Sequence, residues 1–143
     1  MIDSKTEKGA KMNKIEQWAL LLPFLLAIAY QRGHFWFKPG DFKFTPLRTL
    51  TGLQIHHAHW GLLYAFVSFL FLIFDIKNYW TIGIGSLGWG LFFDEIIPHL
   101  MMPSPTNRDK ELEIYAKSEG KTIGLAIMIV AIMWLIIQCT DTK

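Results

Sequence analysis

The sequence predicts an all-α integral membrane protein, a single domain built as a bundle of four transmembrane helices. Hydrophobic residues make up 52% of the 143 residues and charged residues only 18%. Most of the charged residues fall between long apolar runs, which is the segregation expected of membrane-spanning helices. The runs predict spans at residues 15–31, 57–76, 79–100 and 121–138.

The composition excludes several classes of protein. The single cysteine, Cys139, rules out a disulfide scaffold, a four-cysteine zinc site and a cysteine-ligated iron–sulfur cluster. A net charge of +2 gives no electrostatic basis for binding nucleic acid. Lysines and arginines divide six against eight between the two sides of a four-span topology, which is too even to assign the cytoplasmic face. We expect a multi-pass protein, of the cytoplasmic membrane if the source is prokaryotic.

The first span has an alternative interpretation. Lysines precede it, its apolar core is short, and Ala27-Ile28-Ala29 provides small residues at its end. Residues 1–29 therefore also fit a secretory signal peptide, whose removal would leave three spans. We expect a retained helix, and the sequence leaves the alternative open.

The second and third spans must form an antiparallel hairpin, because only residues 75–78 separate them. Before this hairpin, residues 35–54 predict an aromatic loop at the membrane interface, with a type II turn at Pro39-Gly40. After it, the polar loop 103–120 predicts a short helix ending at Gly120 or, from the alternation in ELEIY, a strand.

All five histidines are predicted to lie toward one membrane face. They are His34 after the first span, His56, His57 and His59 at the start of the second, and His99 at the end of the third. Asp94 and Glu95, the acidic residues within the third span, lie at the same end. At about 1.5 Å per residue from the turn at Lys77, this polar layer lies just inside the interface.

The third span also carries a stripe of small residues. Gly83, Ser86, Gly90 and Asp94 share one helical face, which predicts close packing against the second or the fourth span. Pro98 has no N–H to donate to the carbonyl of Asp94, so a kink is expected there.

The residues of the polar layer predict a metal site. Imidazole and carboxylate ligands suit zinc, manganese or iron, and pairs spaced i, i+3 or i, i+4 can share one metal. The predicted ligands are His56, His59, Glu95 and His99, with His57 and Asp94 orienting them. In a catalytic site, Asp94 or Glu95 would be the general base for a metal-activated water.

The expected function is hydrolysis of a lipid or another substrate at the membrane interface. In kind, such a pocket resembles the membrane-embedded metal hydrolases of the alkaline ceramidase and progestin-receptor-like group, although their Ser-x-x-x-His and His-x-x-x-His motifs do not occur here. One alternative is a non-catalytic subunit or packing module of a membrane complex. Another is a haem protein with histidine axial ligands. Glycine-rich helix faces also predict a homo-oligomer or a larger membrane complex.

Overall fold

A computed structural model describes residues 12–37, 57–101 and 108–141. The described residues form five helices and no strand, which confirms the all-α class for this part of the chain. The helices are α1 (Lys14–Phe37), α2 (His57–Ile73), α3 (Tyr79–Met101), α4 (Arg108–Lys117) and α5 (Glu119–Asp141).

Helices occupy all four positions where the sequence predicts spans, and one further helix, α4, lies between the third and the fourth of them in the chain. The predicted polar loop contains α4, so its helical alternative is correct and the strand is wrong. The predicted end of this helix at Gly120 is also wrong, because α4 ends at Lys117 and Gly120 lies in the first turn of α5. The predicted aromatic loop, residues 35–54, overlaps the end of α1 and otherwise lies outside the described residues. Of the described helices, only α5 is both long and apolar enough to cross a membrane by length and composition, over Glu119–Cys139 with a mean hydropathy of 2.4. At 17 residues, the apolar α2 is shorter.

Local signals at the helix ends explain where the chain turns. Asn13 and Glu16 form a capping box at the start of α1, each accepting a hydrogen bond from the other's backbone N–H, at 2.9 and 3.0 Å. After α2, Asp75 adopts a φ of 58° and Ile76 N donates to the carbonyl of Phe71 at 2.8 Å. This is the Schellman arrangement that ends a helix, and it makes the antiparallel hairpin of α2 and α3 possible.

One face of α3 packs against α1. A Cβ placed on Gly90 would lie 2.6 Å from the carbonyl oxygen of Phe24, and Ser86 Oγ donates a hydrogen bond to the carbonyl of Leu20. Gly83 lies on the same side, near Pro23. The stripe of small residues is therefore a packing surface, as predicted. Its partner is α1, and the predicted partner was wrong because α1 offers a matching row of small and buried positions.

The opposite face of α3 packs against α2 even more closely. A Cβ on Gly61 would lie 2.5 Å from the carbonyl oxygen of Gly88, and one on Gly88 would lie 2.6 Å from that of Gly61. Ser68 Oγ donates to the carbonyl of Thr81 at 2.8 Å. Backbone-to-backbone approach of this kind is typical of helices that pack through small residues. Helix α3 is therefore the centre of the bundle.

The described interior is rich in polar residues, and the exterior is rich in large apolar ones. Helix α5 packs on α1 and α3 through a small core of Phe24, Ile28 and Ala126. The buried polar or charged residues are Gln31, Arg32, Ser68, Thr81, Ser86, Asp94, Glu95, Ser118 and Thr122. Leucine, isoleucine, phenylalanine and tryptophan side chains cover much of the outer surface, with α2 a clear case at Leu63, Phe66 and Phe69.

Candidate functional site

A buried cluster joins four helices at the end of the bundle where α3 carries its acidic pair. We call it the Arg32 cluster; it consists of Arg32, Asp94, Tyr115, Ser118 and Thr122. The side chain of Arg32 is 8% exposed and that of Asp94 is 0% exposed. Arg32 Nε donates to Asp94 Oδ1 at 2.6 Å, and the hydroxyl of Tyr115 donates to Asp94 Oδ2. Both oxygens of this buried carboxylate are therefore engaged.

The proline in α3 explains a second bond of Arg32. Pro98 lies inside the helix and cannot donate to the carbonyl four residues before it, which is that of Asp94. Arg32 Nη2 donates to this carbonyl at 2.9 Å. The guanidinium thus neutralises the carboxylate of Asp94 and also satisfies the backbone acceptor that the proline leaves without a donor.

The remaining bonds of Arg32 attach α4 and α5. Nη1 donates to the carbonyl of Tyr115 at 3.2 Å and Nη2 to Thr122 Oγ1 at 3.0 Å. The guanidinium carbon lies 4.0 Å from the centre of the Tyr115 ring, a cation–π distance. Ser118 Oγ donates to the same Tyr115 carbonyl at 2.7 Å and links the end of α4 to the beginning of α5.

Tyr115 is held in its protonated form. Burial first, and then the negative charge of Asp94, raise the pKa of Tyr115 well above its ordinary value. The hydroxyl is therefore a hydrogen-bond donor to Asp94 at neutral pH. Helix α4, which the sequence presents as a polar connection, supplies this donor.

Glu95 has partners of its own, on α2. His57 Nδ1 lies 3.2 Å from Glu95 Oε1, and the backbone N–H of Ala58 donates to Glu95 Oε2 at 3.2 Å. The first N–H groups of a helix have no intrahelical acceptor, so a carboxylate there acts as a cap and is also favoured by the helix dipole. The imidazole in this contact is that of His57, to which the sequence assigned an orienting role beside the predicted ligands His56 and His59.

The other predicted site residues are placed as follows. His56 lies outside the described residues, as does the side chain of His34. His59 and His99 are exposed. Among the described residues, no group of three or more histidine, cysteine, aspartate or glutamate side chains could hold a metal ion. Asp94 contacts Arg32 and Tyr115 rather than a histidine, so the structure assigns it partners that differ from the predicted ones.

Arg32 is the residue that sequence reasoning missed, because it follows the predicted end of the first span. A signal was nevertheless present. Phe24, Ile28 and Arg32 are spaced four residues apart, so they lie on one helical face, and all three are buried. A buried aspartate followed at i+4 by proline also requires both a cation and an additional donor.

In comparisons with family models, curated proteins and solved structures, no match to this chain was found.

Proposed function

We propose that this chain is a four-span membrane protein whose role is that of a non-catalytic packing module, with the Arg32 cluster fastening the helices at one face. Helices α1, α2, α3 and α5 cross the bilayer in this proposal, and α4 lies at the face that carries the cluster. The observation that carries the non-catalytic assignment is the engagement of both carboxylate oxygens of Asp94. They accept hydrogen bonds from Arg32 and Tyr115, so this carboxylate connects α3 to α1 and α4, which supports a structural role for it.

The distribution of side chains supports the membrane assignment. Large apolar side chains face outward on α1, α2 and α5, while glycine, serine and charged residues face inward. A water-soluble monomer rarely exposes so many large apolar side chains, whereas lipid is a suitable solvent for them. In a bilayer, helices associate through small residues and interhelical hydrogen bonds, which describes both faces of α3.

Helix lengths are compatible with crossing. At about 1.5 Å per residue, the 24 residues of α1 measure roughly 36 Å and the 23 residues of α3 and α5 roughly 34 Å each. A hydrocarbon core is about 30 Å thick. The 17 residues of α2 are at the short end of the spanning range, which begins at about 17.

The packing of α1 favours a retained span over a cleaved signal peptide. Ala27 and Ile28, which belong to the segment that could resemble a cleavage site, are 4% and 6% exposed. Four residues later, Arg32 supplies the cation for the buried Asp94. Removing α1 would leave that carboxylate unpaired and the α1-facing stripe of α3 without a partner.

Cysteine labelling in sealed vesicles tests the four-span topology. On a Cys139→Ser background, three exposed lysines are replaced separately by cysteine: Lys14, Lys77 and Lys117. A membrane-impermeant maleimide should label Lys14→Cys and Lys77→Cys from one side of the membrane, and Lys117→Cys only from the other. Labelling of all three from the same side, or release of the protein by alkaline carbonate, would refute the four-span proposal.

Elemental analysis tests the non-catalytic assignment against the metal hydrolase. The purified wild-type protein is compared with His99→Ala, which removes a predicted ligand that is exposed and lies outside the Arg32 cluster. We expect no stoichiometric zinc, manganese or iron in either protein. Stoichiometric metal in the wild type that is lost in His99→Ala would overturn the packing-module proposal in favour of the metal site.

A further inference from the structure

A long apolar groove lies between α1 and α5 and ends at the Arg32 cluster. Its volume is about 680 Å³, and residues such as Leu25, Ala29 and Ile127 line its length. On α5 the groove is lined from Glu119 to Trp134, fifteen residues further on, so it extends about 22 Å along this helix. Its polar end consists of Arg32 and Glu119, beside Trp36. An apolar groove with charged side chains at one end suits a lipid, which has an apolar acyl chain and a polar headgroup.

The bonds of Arg32 leave one donor for a ligand at this end. A guanidinium has five N–H groups. In the described part of the chain, one on Nε, one on Nη1 and two on Nη2 donate to Asp94, Tyr115 and Thr122. The second N–H of Nη1 has no acceptor among the described residues, although the side chain is only 8% exposed. A buried donor of a charged group needs an acceptor, and because Arg32 lines the groove, a ligand in the groove is one source of that acceptor.

Glu119 determines the charge of the same end. It lies in the first turn of α5, three residues before Thr122, so the two side chains share a face of the helix. Among the described residues at this end, Arg32 is balanced by Asp94, so the carboxylate of Glu119 makes their summed charge negative. The nearby Lys121 is exposed and projects from the other side of α5, two residues further on. A negative end repels an anionic headgroup and attracts an ammonium group.

We propose that this groove binds one zwitterionic phospholipid. An acyl chain occupies the apolar channel, a phosphate or ester oxygen accepts the remaining N–H of Arg32, and the headgroup ammonium lies near Glu119. Trp36, which is 62% exposed, is placed for a cation–π contact with the ammonium. This inference rests on the membrane placement proposed above. Since an acyl chain gains little by moving from bilayer to groove, selectivity comes from the polar end.

Native mass spectrometry of the detergent-solubilised protein tests this inference, with phosphatidylcholine and phosphatidylglycerol as the added probes. Ala131→Trp fills the groove from an exposed alanine that lines it. Ile132→Trp is the matched control, since this neighbouring side chain is 48% exposed and does not line the groove. Glu119→Gln removes the charge at the polar end and leaves its shape. Circular dichroism of each variant checks that its helices are retained.

We expect the wild type to retain one phosphatidylcholine in preference to phosphatidylglycerol. Ala131→Trp should lower that retention about tenfold and Ile132→Trp should not, while Glu119→Gln should reduce the preference between the lipids about tenfold, the effect of one charged contact. Equal retention by wild type and Ala131→Trp, or a preference for phosphatidylglycerol, would overturn the inference. Cross-linking between two protomers that carry Ala131→Cys would assign the groove to a second copy instead. If the labelling experiment places the helices in the membrane and lipid retention still fails, only the lipid inference is lost.

Discussion

Replacing both members of the Arg32–Asp94 pair should destabilise the protein less than the sum of the two single replacements. Asp94→Leu leaves the guanidinium of Arg32 buried without a counter-charge, and Arg32→Met does the same to the carboxylate of Asp94. The pair is closed to solvent, with side chains 8% and 0% exposed, so screening by water does not weaken this effect. Each single variant should therefore lose about 3–5 kcal/mol of unfolding free energy.

The double variant contains no uncompensated charge. Two buried polar groups still lose a partner in it: the carbonyl at position 94, which Pro98 cannot satisfy and which loses the donor on Arg32, and the hydroxyl of Tyr115, which loses its acceptor. An unsatisfied buried polar group costs about 1–3 kcal/mol, so the double variant should lose about 2–6 kcal/mol. Additive single effects would predict a loss of about 6–10 kcal/mol instead. The expected coupling free energy is therefore several kcal/mol, well above the error of an unfolding experiment.

The assay is reversible unfolding in detergent micelles, followed by circular dichroism, for the wild type, both single variants and the double variant. A second ion pair provides the control. Lys117 Nζ and Glu113 Oε1 on α4 are also 2.6 Å apart, but the two side chains are 66% and 59% exposed. The corresponding cycle at that pair should give no measurable coupling. Additive losses at Arg32 and Asp94, or equal coupling at the two pairs, would refute the argument that burial makes this pair important.

Three further predictions follow from particular contacts. Gly61→Ala should destabilise the protein by about 1–3 kcal/mol in a thermal unfolding assay, because the new Cβ would meet backbone atoms at 2.5 and 2.7 Å. Gly124→Ala is the control: its Cβ would meet nothing within 4 Å, so this variant should be neutral or stabilising in the same assay. Adding Pro98→Ala to Arg32→Met should restore part of the lost stability, about 1 kcal/mol, since alanine supplies the missing N–H; no recovery would contradict the account of the freed carbonyl. Because folding raises the pKa of Tyr115, the folded state holds the phenol proton more tightly than the unfolded state. The contribution of Tyr115 to the free energy of unfolding is therefore complete below about pH 10 and is lost as the pH rises further. Tyr115→Phe should therefore be less stable at neutral pH and lack this alkaline loss, as measured by unfolding across the alkaline range.

Much of the secondary structure could be predicted from the sequence because its signals are local. The apolar runs place α1, α2, α3 and α5 within a few residues of their observed bounds, apart from the longer end of α1. The short turn between α2 and α3 forces them to be antiparallel. The spacing of Gly83, Ser86 and Gly90 identifies a packing face without any knowledge of its partner. Each inference depends only on residues within one or two helical turns.

The site could be predicted only in part. The sequence correctly brought the start of α2 and the end of α3 together, since His57 and Glu95 do meet. It gave His57 only an orienting role beside the predicted ligands, because the face of α2 that meets α3 depends on where that helix begins and how it is rotated. It placed Asp94 among imidazoles, although its cation comes from α1 and its second donor, Tyr115, from α4.

By itself, the sequence determined where the helices form and which of them must be neighbours along the chain. Only the tertiary structure decided that α3 lies between α1 and α2 and that Arg32 is buried. It also decided that Asp94 pairs with a residue of α1 while Glu95 pairs with residues of α2. The physical reason is that the buried ion pair joins Arg32 and Asp94, which are 62 residues apart in the chain. That choice depends on the rotation and register of whole helices, which are set by glycine contacts on both faces of α3 and not by any local pattern.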